Sequence, residues 1–423
     1  MALATAAGLA ALALLLTPVP AAARPARAAQ CAELPAPGRV REDTPVEDRL
    51  YDLGRLAPLA TGAGVRVAVI DSGVDAGHPQ LRGRVTRGLD ILRGTDARQD
   101  CVGHGTGVAS IIAARPVPGA GFHGLAPGAT VVPVRITEKE QIDGRNVGDD
   151  GTAAEFAQAV EWAADPLGGA ADVLNLSVVM TADDARVRRA VTGALAGGVV
   201  VVAAAGNNGA PERGNPTPYP AAYPGVIGVG AVTAAGMRAS FSQRGGYVDL
   251  VAAGEGVTVA AVGSGHTLRQ GTSFAAPYVA ATAALLLERY PGLTPAQVER
   301  RLTATADPAP GGGRSDEYGY GLLNPYRALT ETLVPRVPRA PAPVVVHSAD
   351  PAAAARQARR GEARDRALIS GAAGAGLAAL AGLVAAVLRR GRRRGWRPAG
   401  AAIPTPDRVP GRCGDVLPVE RGR

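Results

Sequence analysis

Residues 271–277 read Gly-Thr-Ser-Phe-Ala-Ala-Pro, and a mostly apolar run from Tyr278 to Leu287 follows them. This pattern predicts a buried helix that begins at a turn, with Ser273 at the positive end of the helix dipole, where negative charge is favoured. Pro277 is expected in the first turn, whose backbone amides lack an intrahelical acceptor, and Pro291-Gly292 is expected to end the helix. Alone, the stretch also fits an ordinary capped core helix, so the meaning of Ser273 depends on the rest of the chain.

Two upstream stretches place an acid and a histidine at comparable positions. The aliphatic run Val65–Ile70 predicts a buried parallel strand that ends at Asp71. His104 stands in Cys-Val-Gly-His-Gly-Thr-Gly, immediately before a helical pattern that reaches Ala114. The carboxyl ends of strands in open α/β sheets are where ligands and chemistry are found, so Asp71 is a candidate functional residue.

Aliphatic strands and helical patterns alternate through the region between these blocks. Strands are predicted at 131–136, 173–177, 199–205, 226–232 and 248–251, helices at 46–56, 152–164, 183–196, 294–305 and 325–333, and a polar surface loop at 138–150. Such alternation predicts an α/β fold of three layers, with a mainly parallel sheet flanked by helices on both faces.

The charge of the chain does not indicate a nucleic-acid partner. The 423 residues carry a net charge of +8, but residues 389–423 hold ten arginines against three acids, which accounts for nearly all of the excess. The rest of the chain is close to neutral, whereas a nucleic-acid-binding domain carries a basic patch of its own.

The cysteines and acidic pairs give no sign of a bound metal, and we expect no cofactor. The spacings of Cys31, Cys101 and Cys413 fit no zinc or redox motif. Cys31 and Cys101 can pair in an oxidising compartment, or both can remain free thiols. The acidic pairs at 149–150 and 183–184 lack regular calcium-ligand spacing, so solvated loops are the favoured interpretation.

The two ends of the chain indicate export and membrane anchoring. Residues 1–28 resemble a secretory signal peptide, with an apolar run at 8–16 and possible cleavage after Ala23 or Ala28. Residues 334–366 form a Pro/Ala-rich and charged linker, and the uncharged stretch 367–388 is long enough to cross a bilayer. The basic tail at 389–423 then predicts a single-pass membrane protein with a cytoplasmic tail and an extracytoplasmic globular domain.

Three blocks together resemble the signature sequences of the subtilisin-like serine proteases. They are Asp71-Ser-Gly-Val, His104-Gly-Thr-Gly-Val-Ala and Gly271-Thr-Ser-Phe-Ala-Ala-Pro, in that order and with family-like separations. Ala205-Gly-Asn207 resembles a fourth block, and the likeness extends over residues 42–333. It implies the subtilisin-like fold, with residues 64–333 as the protease domain.

The resemblance also implies roles for single residues. Ser273 corresponds to the nucleophile, His104 to the general base and acid, Asp71 to the residue that orients the imidazole, and Asn207 to the oxyanion donor. Ser177 and Val178 fall where the family binds an extended peptide substrate by its backbone. Val179 departs from the family pattern, which has a glycine there, and this leaves the specificity of the primary pocket open.

Within the family, the chain is most similar to mycosins, the membrane-anchored subtilases of type VII secretion systems. The resemblance implies that residues 29–63 form an arm that wraps the catalytic domain and is held by a Cys31–Cys101 disulfide. It implies protein substrates and a place in the type VII secretion membrane complex. Two functions remain open: an active endopeptidase that processes exported substrates, and a scaffolding component whose peptidase activity is secondary.

Overall fold

The computed structural model describes residues 31, 34–138, 140–142, 145–147, 150–333, 380–393 and 395. The predicted signal peptide at 1–28 and linker at 334–366 lie outside the described residues, as do residues 367–379 of the predicted transmembrane segment. Residues 380–393 are helical. Among the described residues, none of the helices combines the length and apolar character needed to span a bilayer.

Seven parallel strands form the central sheet. Their spatial order is β2-β3-β1-β6-β7-β8-β9. The bounds are β1 Arg66–Asp71, β2 Leu89–Asp90, β3 Thr130–Arg135, β6 Val173–Leu176, β7 Val200–Ala204, β8 Ile227–Val232 and β9 Leu250–Ala253. The strands are mainly aliphatic because both faces of the sheet are covered.

Helices cover both faces of this sheet. They are α1 Val46–Tyr51, α2 Leu53–Leu56, α3 His104–Ala113, α4 Ala153–Ala164, α5 Ala185–Ala196, α6 Thr272–Arg289, α7 Pro295–Ala304 and α8 Pro325–Thr330. The core on one face contains α3 and α6, and the core on the other contains α4 and α5. The predicted layering is therefore confirmed.

Two antiparallel hairpins lie outside the central sheet. Strands β4 (Glu140–Ile142) and β5 (Arg145–Val147) pair within the stretch predicted as a surface loop, so that prediction was wrong over these residues. Strands β10 (Val257–Ala260) and β11 (His266–Arg269) form a hairpin that the sequence pattern did not indicate. The helix predicted over 46–56 is interrupted at Asp52, whose φ is 49°.

Helix α6 is buried over most of its length, which is why its sequence is apolar all round. It begins directly after Gly271, whose φ of 143° is poorly accessible to other residues. Pro277 is the sixth residue of this helix, so its expected place in the first turn was wrong. At that position a residue other than proline would donate its amide proton to the carbonyl of Ser273, four residues earlier.

Residues 38–62 pack closely on β11, β9 and α6. Arg39 forms an antiparallel bridge with His266 of β11, and the Arg41 amide donates to Nδ1 of the same histidine at 2.9 Å. The Tyr51 hydroxyl accepts from the Ala253 amide at 2.8 Å, and its ring lies 4.7 Å from that of Tyr278 on α6. These contacts fasten the arm to both the hairpin and the helix that carries Ser273.

Candidate active site

Asp71 lies at the carboxyl end of β1 and is fully buried. Its Oδ1 atom accepts hydrogen bonds from the Ser72 amide and from Nδ1 of His104, each at 2.7 Å. The backbone amide of the next residue therefore holds the carboxylate in place, and one ring nitrogen of the histidine bonds to the same oxygen. The structure thus brings together two of the residues that the sequence singled out.

His104 is the first residue of α3, and its side chain retains 34% of its exposure. Burial disfavours the imidazolium, but the charge of Asp71 and its hydrogen bond outweigh that effect and raise the pKa of His104 above its ordinary value. Because Nδ1 is bonded to Asp71, Nε2 is the nitrogen left to exchange a proton with another group.

Asp100 was not singled out from the sequence, yet it organises the turn that leads to His104. This buried carboxylate accepts from the amides of Val102, Gly103 and Thr106 and from the hydroxyls of Ser72 and Thr106, at 2.6 to 3.1 Å. The Ser72 hydroxyl in turn accepts from the Gly105 amide at 2.9 Å. An acidic residue just before a helix start was the available signal, because such residues bind first-turn amides.

Ser273 is the second residue of α6 and is 8% exposed. The ring of its neighbour Phe274 lies 4.9 Å from the His104 ring, so the first turns of α3 and α6 are adjacent. A Cβ placed on Gly271 would lie 3.6 Å from the Ser273 hydroxyl and 3.2 Å from Nδ2 of Asn207. The hydroxyl and this amide therefore lie on the same side of the turn, and only glycine leaves the space between them open.

The amide group of Asn207 is held in one orientation. Its Oδ1 accepts from the Thr272 amide at 2.8 Å and from the Thr272 hydroxyl at 3.0 Å. That hydroxyl also accepts from the Gly206 amide at 3.0 Å. With its oxygen engaged in this way, Asn207 presents its NH2 group beside Ser273, as an oxyanion donor requires.

Ser177 and Val178 follow β6, but their side chains have different surroundings. The Ser177 side chain is buried, and its hydroxyl donates to the Ser273 carbonyl at 2.9 Å. Val178 and Val179 are half-buried and pack against the cores on opposite faces of the sheet. The family resemblance implies only a backbone role for Ser177, and no feature of the sequence indicates this side-chain contact with the nucleophile candidate.

Cys31 and Cys101 form a disulfide, with their Cα atoms 5.3 Å apart. The bond ties the start of the described arm to the residue beside Asp100. Asp183 and Asp184, considered as calcium ligands, instead pair with Arg188 and Arg186. Among the described residues no group of three or more histidines, cysteines or acids could hold a metal ion.

Known proteins match most of the chain that contains this site. A model of the Subtilase family matches residues 62–321. Subtilisin DY from Bacillus licheniformis is 37% identical over 263 residues, which cover 62% of this chain and 90% of that protein. Several other subtilisins match at the same 37% identity, and the chain spans 65% of their length.

Mycosin-1 from Mycobacterium tuberculosis (strain ATCC 25618 / H37Rv) shares a longer stretch. It is 35% identical over 359 residues, which cover 73% of this chain and 80% of that protein. Among solved structures, the chain is similar to the serine protease MycP1, described as an essential component of the type VII (ESX-1) secretion system. That match has a TM-score of 0.60 and 33% identity and covers 71% of this chain and 94% of that one.

Proposed function

The chain belongs to the subtilase family of serine proteases, and from that premise we propose that it is a membrane-anchored, extracytoplasmic endopeptidase that uses Ser273, His104 and Asp71 as its catalytic triad. One observation carries the assignment of roles. The hydrogen bond of 2.7 Å from His104 Nδ1 to the buried Asp71 fixes the imidazole with Nε2 free for proton transfer, at the turn adjacent to Ser273.

In the proposed reaction, the Ser273 hydroxyl attacks the carbonyl carbon of a peptide bond while His104 takes the hydroxyl proton. Asp71 stabilises the imidazolium that forms. The negative oxygen of the tetrahedral intermediate accepts hydrogen bonds from the Asn207 side chain and the Ser273 amide. His104 then returns the proton to the leaving amine, and water releases the acyl group by the same route.

An activity-based label tests these roles. We expect a biotinylated peptide phosphonate to label the wild-type protein at Ser273, and Ser273→Ala and His104→Ala to abolish labelling. Ser242→Ala is the matched control, because this buried serine bonds the Ala231 amide on β8. Folded wild-type protein that resists labelling, or labelling that survives Ser273→Ala, would refute the triad.

The cellular setting follows from the ends of the sequence and from the relatives. The uncharged stretch 367–388 and the arginines after it support a single-pass anchor with the protease domain outside. MycP1 is described as an essential component of a type VII secretion system. We therefore place this protein beside such a membrane complex, where its substrates are exported polypeptides.

Topology and substrate need separate experiments. Cys413 is the one cysteine outside the disulfide and lies in the predicted cytoplasmic tail. An impermeant thiol reagent should leave it unlabelled in intact cells and label it after lysis, and labelling before lysis would reverse the orientation. Comparison of culture-fluid proteins from wild-type and Ser273→Ala cells should show uncleaved forms of the substrate in the variant.

A scaffolding role is the second candidate, because MycP1 is described as an essential component of the secretion system. The Asp71–His104 bond and the fixed Asn207 amide favour activity, since a scaffold has no chemical need for them. Deletion of the whole chain should stop secretion if the protein supports the complex. If Ser273→Ala restores secretion to such cells, scaffolding accounts for the secretion defect.

A further inference from the structure

The carbonyl of Ser273 occupies an unusual position in α6. In a regular helix it would accept the amide proton of the residue four positions later. That residue is Pro277, which has no amide proton, and the carbonyl is buried, where an unpaired acceptor is unfavourable.

The Ser177 hydroxyl supplies the missing donor. It lies at the end of β6 and donates to the Ser273 carbonyl at 2.9 Å. The hydroxyl is itself fixed, because it accepts from Nδ2 of Asn175 at 2.9 Å. Asn175 is fully buried on the central strand β6, paired in register with Val69 of β1 and Val202 of β7. The nucleophile candidate is therefore connected to the sheet by two consecutive side-chain hydrogen bonds.

We propose that Ser177 is a positioning residue for Ser273: its hydroxyl replaces the helix hydrogen bond that Pro277 removes and fixes the first turn of α6 in its reactive orientation. This inference rests on the proposed function, in which both the hydroxyl and the amide of Ser273 act on substrate. A carbonyl without a partner would allow the peptide units of that turn to tilt, and both groups would move with them.

The arrangement also links substrate binding to the nucleophile. Residues 177 and 178 are the proposed backbone partners of an extended peptide, and the same Ser177 contacts Ser273 through its side chain. A peptide that pairs with this segment would hold the Ser177 backbone in place and, with it, the donor to the Ser273 carbonyl. Loss of the hydroxyl should therefore affect the chemical step more than the binding of substrate.

A double-mutant cycle in the full-length protein tests the proposal. Ser177→Ala removes the donor, and Pro277→Ala restores the helix amide that can replace it. We expect Ser177→Ala to lower the maximal inactivation rate by the peptide phosphonate by ~5- to 150-fold, the range for one buried acceptor left unpaired. The concentration that gives half the maximal rate should change much less. In the Pro277→Ala background, the same Ser177→Ala substitution should lower the maximal inactivation rate by less than about 3-fold.

Two controls separate positioning from stability. Rates are expressed per active site titrated by the label, so that unfolded protein does not contribute. Ser242→Ala should change the maximal inactivation rate by the same factor in the wild-type background and in the Pro277→Ala background. Ser177→Ala losses that are equal in both backgrounds, or that disappear after correction for active-site content, would overturn the positioning role while leaving the proposed function intact. Absence of labelling in folded wild-type protein would overturn both.

Discussion

Replacing Asp100 by asparagine should impair the enzyme without changing any of the three side chains of the proposed triad. The carboxylate receives three backbone amides and two hydroxyls, and the amides can only donate. An asparagine can keep its oxygen toward Ser72, Val102 and Gly103, but its NH2 group then faces the Thr106 amide. Two donors meet there, and the hydrogen bond at the start of α3 is lost.

The size of the effect follows from these contacts. Hydrogen bonds to a charged group contribute ~1.5–3 kcal/mol each, and an unpaired buried donor costs ~1–3 kcal/mol. For one lost amide bond and one weakened hydroxyl bond, we expect the free energy of unfolding to fall by about 2–4 kcal/mol. Loosening the turn before His104 should lower kcat/KM by ~10- to 100-fold, because misplacement of a catalytic group by about 1 Å can cost that much.

The pH profile distinguishes this prediction from simple loss of stability. Burial lowers the pKa of His104, whereas the charge and hydrogen bond of Asp71 and, to a smaller extent, the charge of Asp100 raise it. Removing that charge lowers the pKa of the histidine, so the active, neutral form persists to lower pH. The acid limb of kcat/KM for a fluorogenic peptide should therefore move to lower pH in Asp100→Asn.

Asp96→Asn provides the matched control in the same loop. The Asp96 carboxylate bonds the Gly88 amide and the Arg98 guanidinium, and no contact joins it to His104 among the described residues. Its acid limb should coincide with that of the wild type. An Asp100→Asn protein that is folded and shows an unshifted acid limb would refute the electrostatic part of the reasoning, and an unchanged kcat/KM would refute the positioning part.

Three further predictions concern the oxyanion donor, the disulfide and the arm. Asn207→Ala should lower kcat by ~10²- to 10³-fold with little change in KM, a range measured for an oxyanion-hole asparagine of a subtilisin; steady-state kinetics in which KM carries the loss would contradict it. The Cys31–Cys101 bond closes a sequence separation of 70 residues. Under the loop-entropy relation, Cys31→Ser combined with Cys101→Ser should lower the free energy of unfolding, measured in urea, by about 4 kcal/mol. Equal urea midpoints for this variant and the wild type would exclude that contribution. Burial, and then the charges of His78 and Arg41, lower the pKa of His266 from 6.5 to about 4. The neutral ring therefore contributes its full stability above pH 6.5. This contribution is lost as the pH falls toward 4, and the free energy of unfolding decreases by up to about 3 kcal/mol. His266→Gln should flatten the pH dependence of urea unfolding in that interval, and an unaltered slope would show that the ring does not control it.

Where a segment is buried on both faces, the sequence predicted the structure well. The run Val65–Ile70 was predicted as a strand, and β1 covers Arg66–Asp71. Both sides of such a strand must be apolar, so the pattern depends little on which neighbour covers it. The short strands β10 and β11 lack that signal. Their pairing is supported by the arm at Arg39 and Arg41, which lies more than 200 residues away in the chain.

In the candidate site, too, some residues could be predicted from the local sequence, whereas the role of others depends on residues from distant segments. Asp71 and His104 could be placed because each lies at the end of a regular element, and elements of an α/β sheet bring such ends to one edge. An acid before a helix start indicates only a bond to first-turn amides, whereas the role of Asp100 depends on five separate donors, one of which is the Ser72 hydroxyl after β1. A resemblance to known blocks identifies reacting groups more readily than it identifies the groups that hold them.

The position of Pro277 was predicted wrongly, and its structural consequence depends on a distant residue. In the sequence it was assigned to the first turn, where a missing amide proton has no consequence, but the helix begins five residues earlier and the proline falls in its second turn. The consequence appears only with Ser177, 96 positions away, whose hydroxyl meets the carbonyl that the proline leaves open. A proline inside a helix is unfavourable unless the freed carbonyl has another partner. In this chain, the proline four residues after Ser273 and the hydroxyl of Ser177 therefore have to be read together, because one removes the partner of the Ser273 carbonyl and the other supplies it.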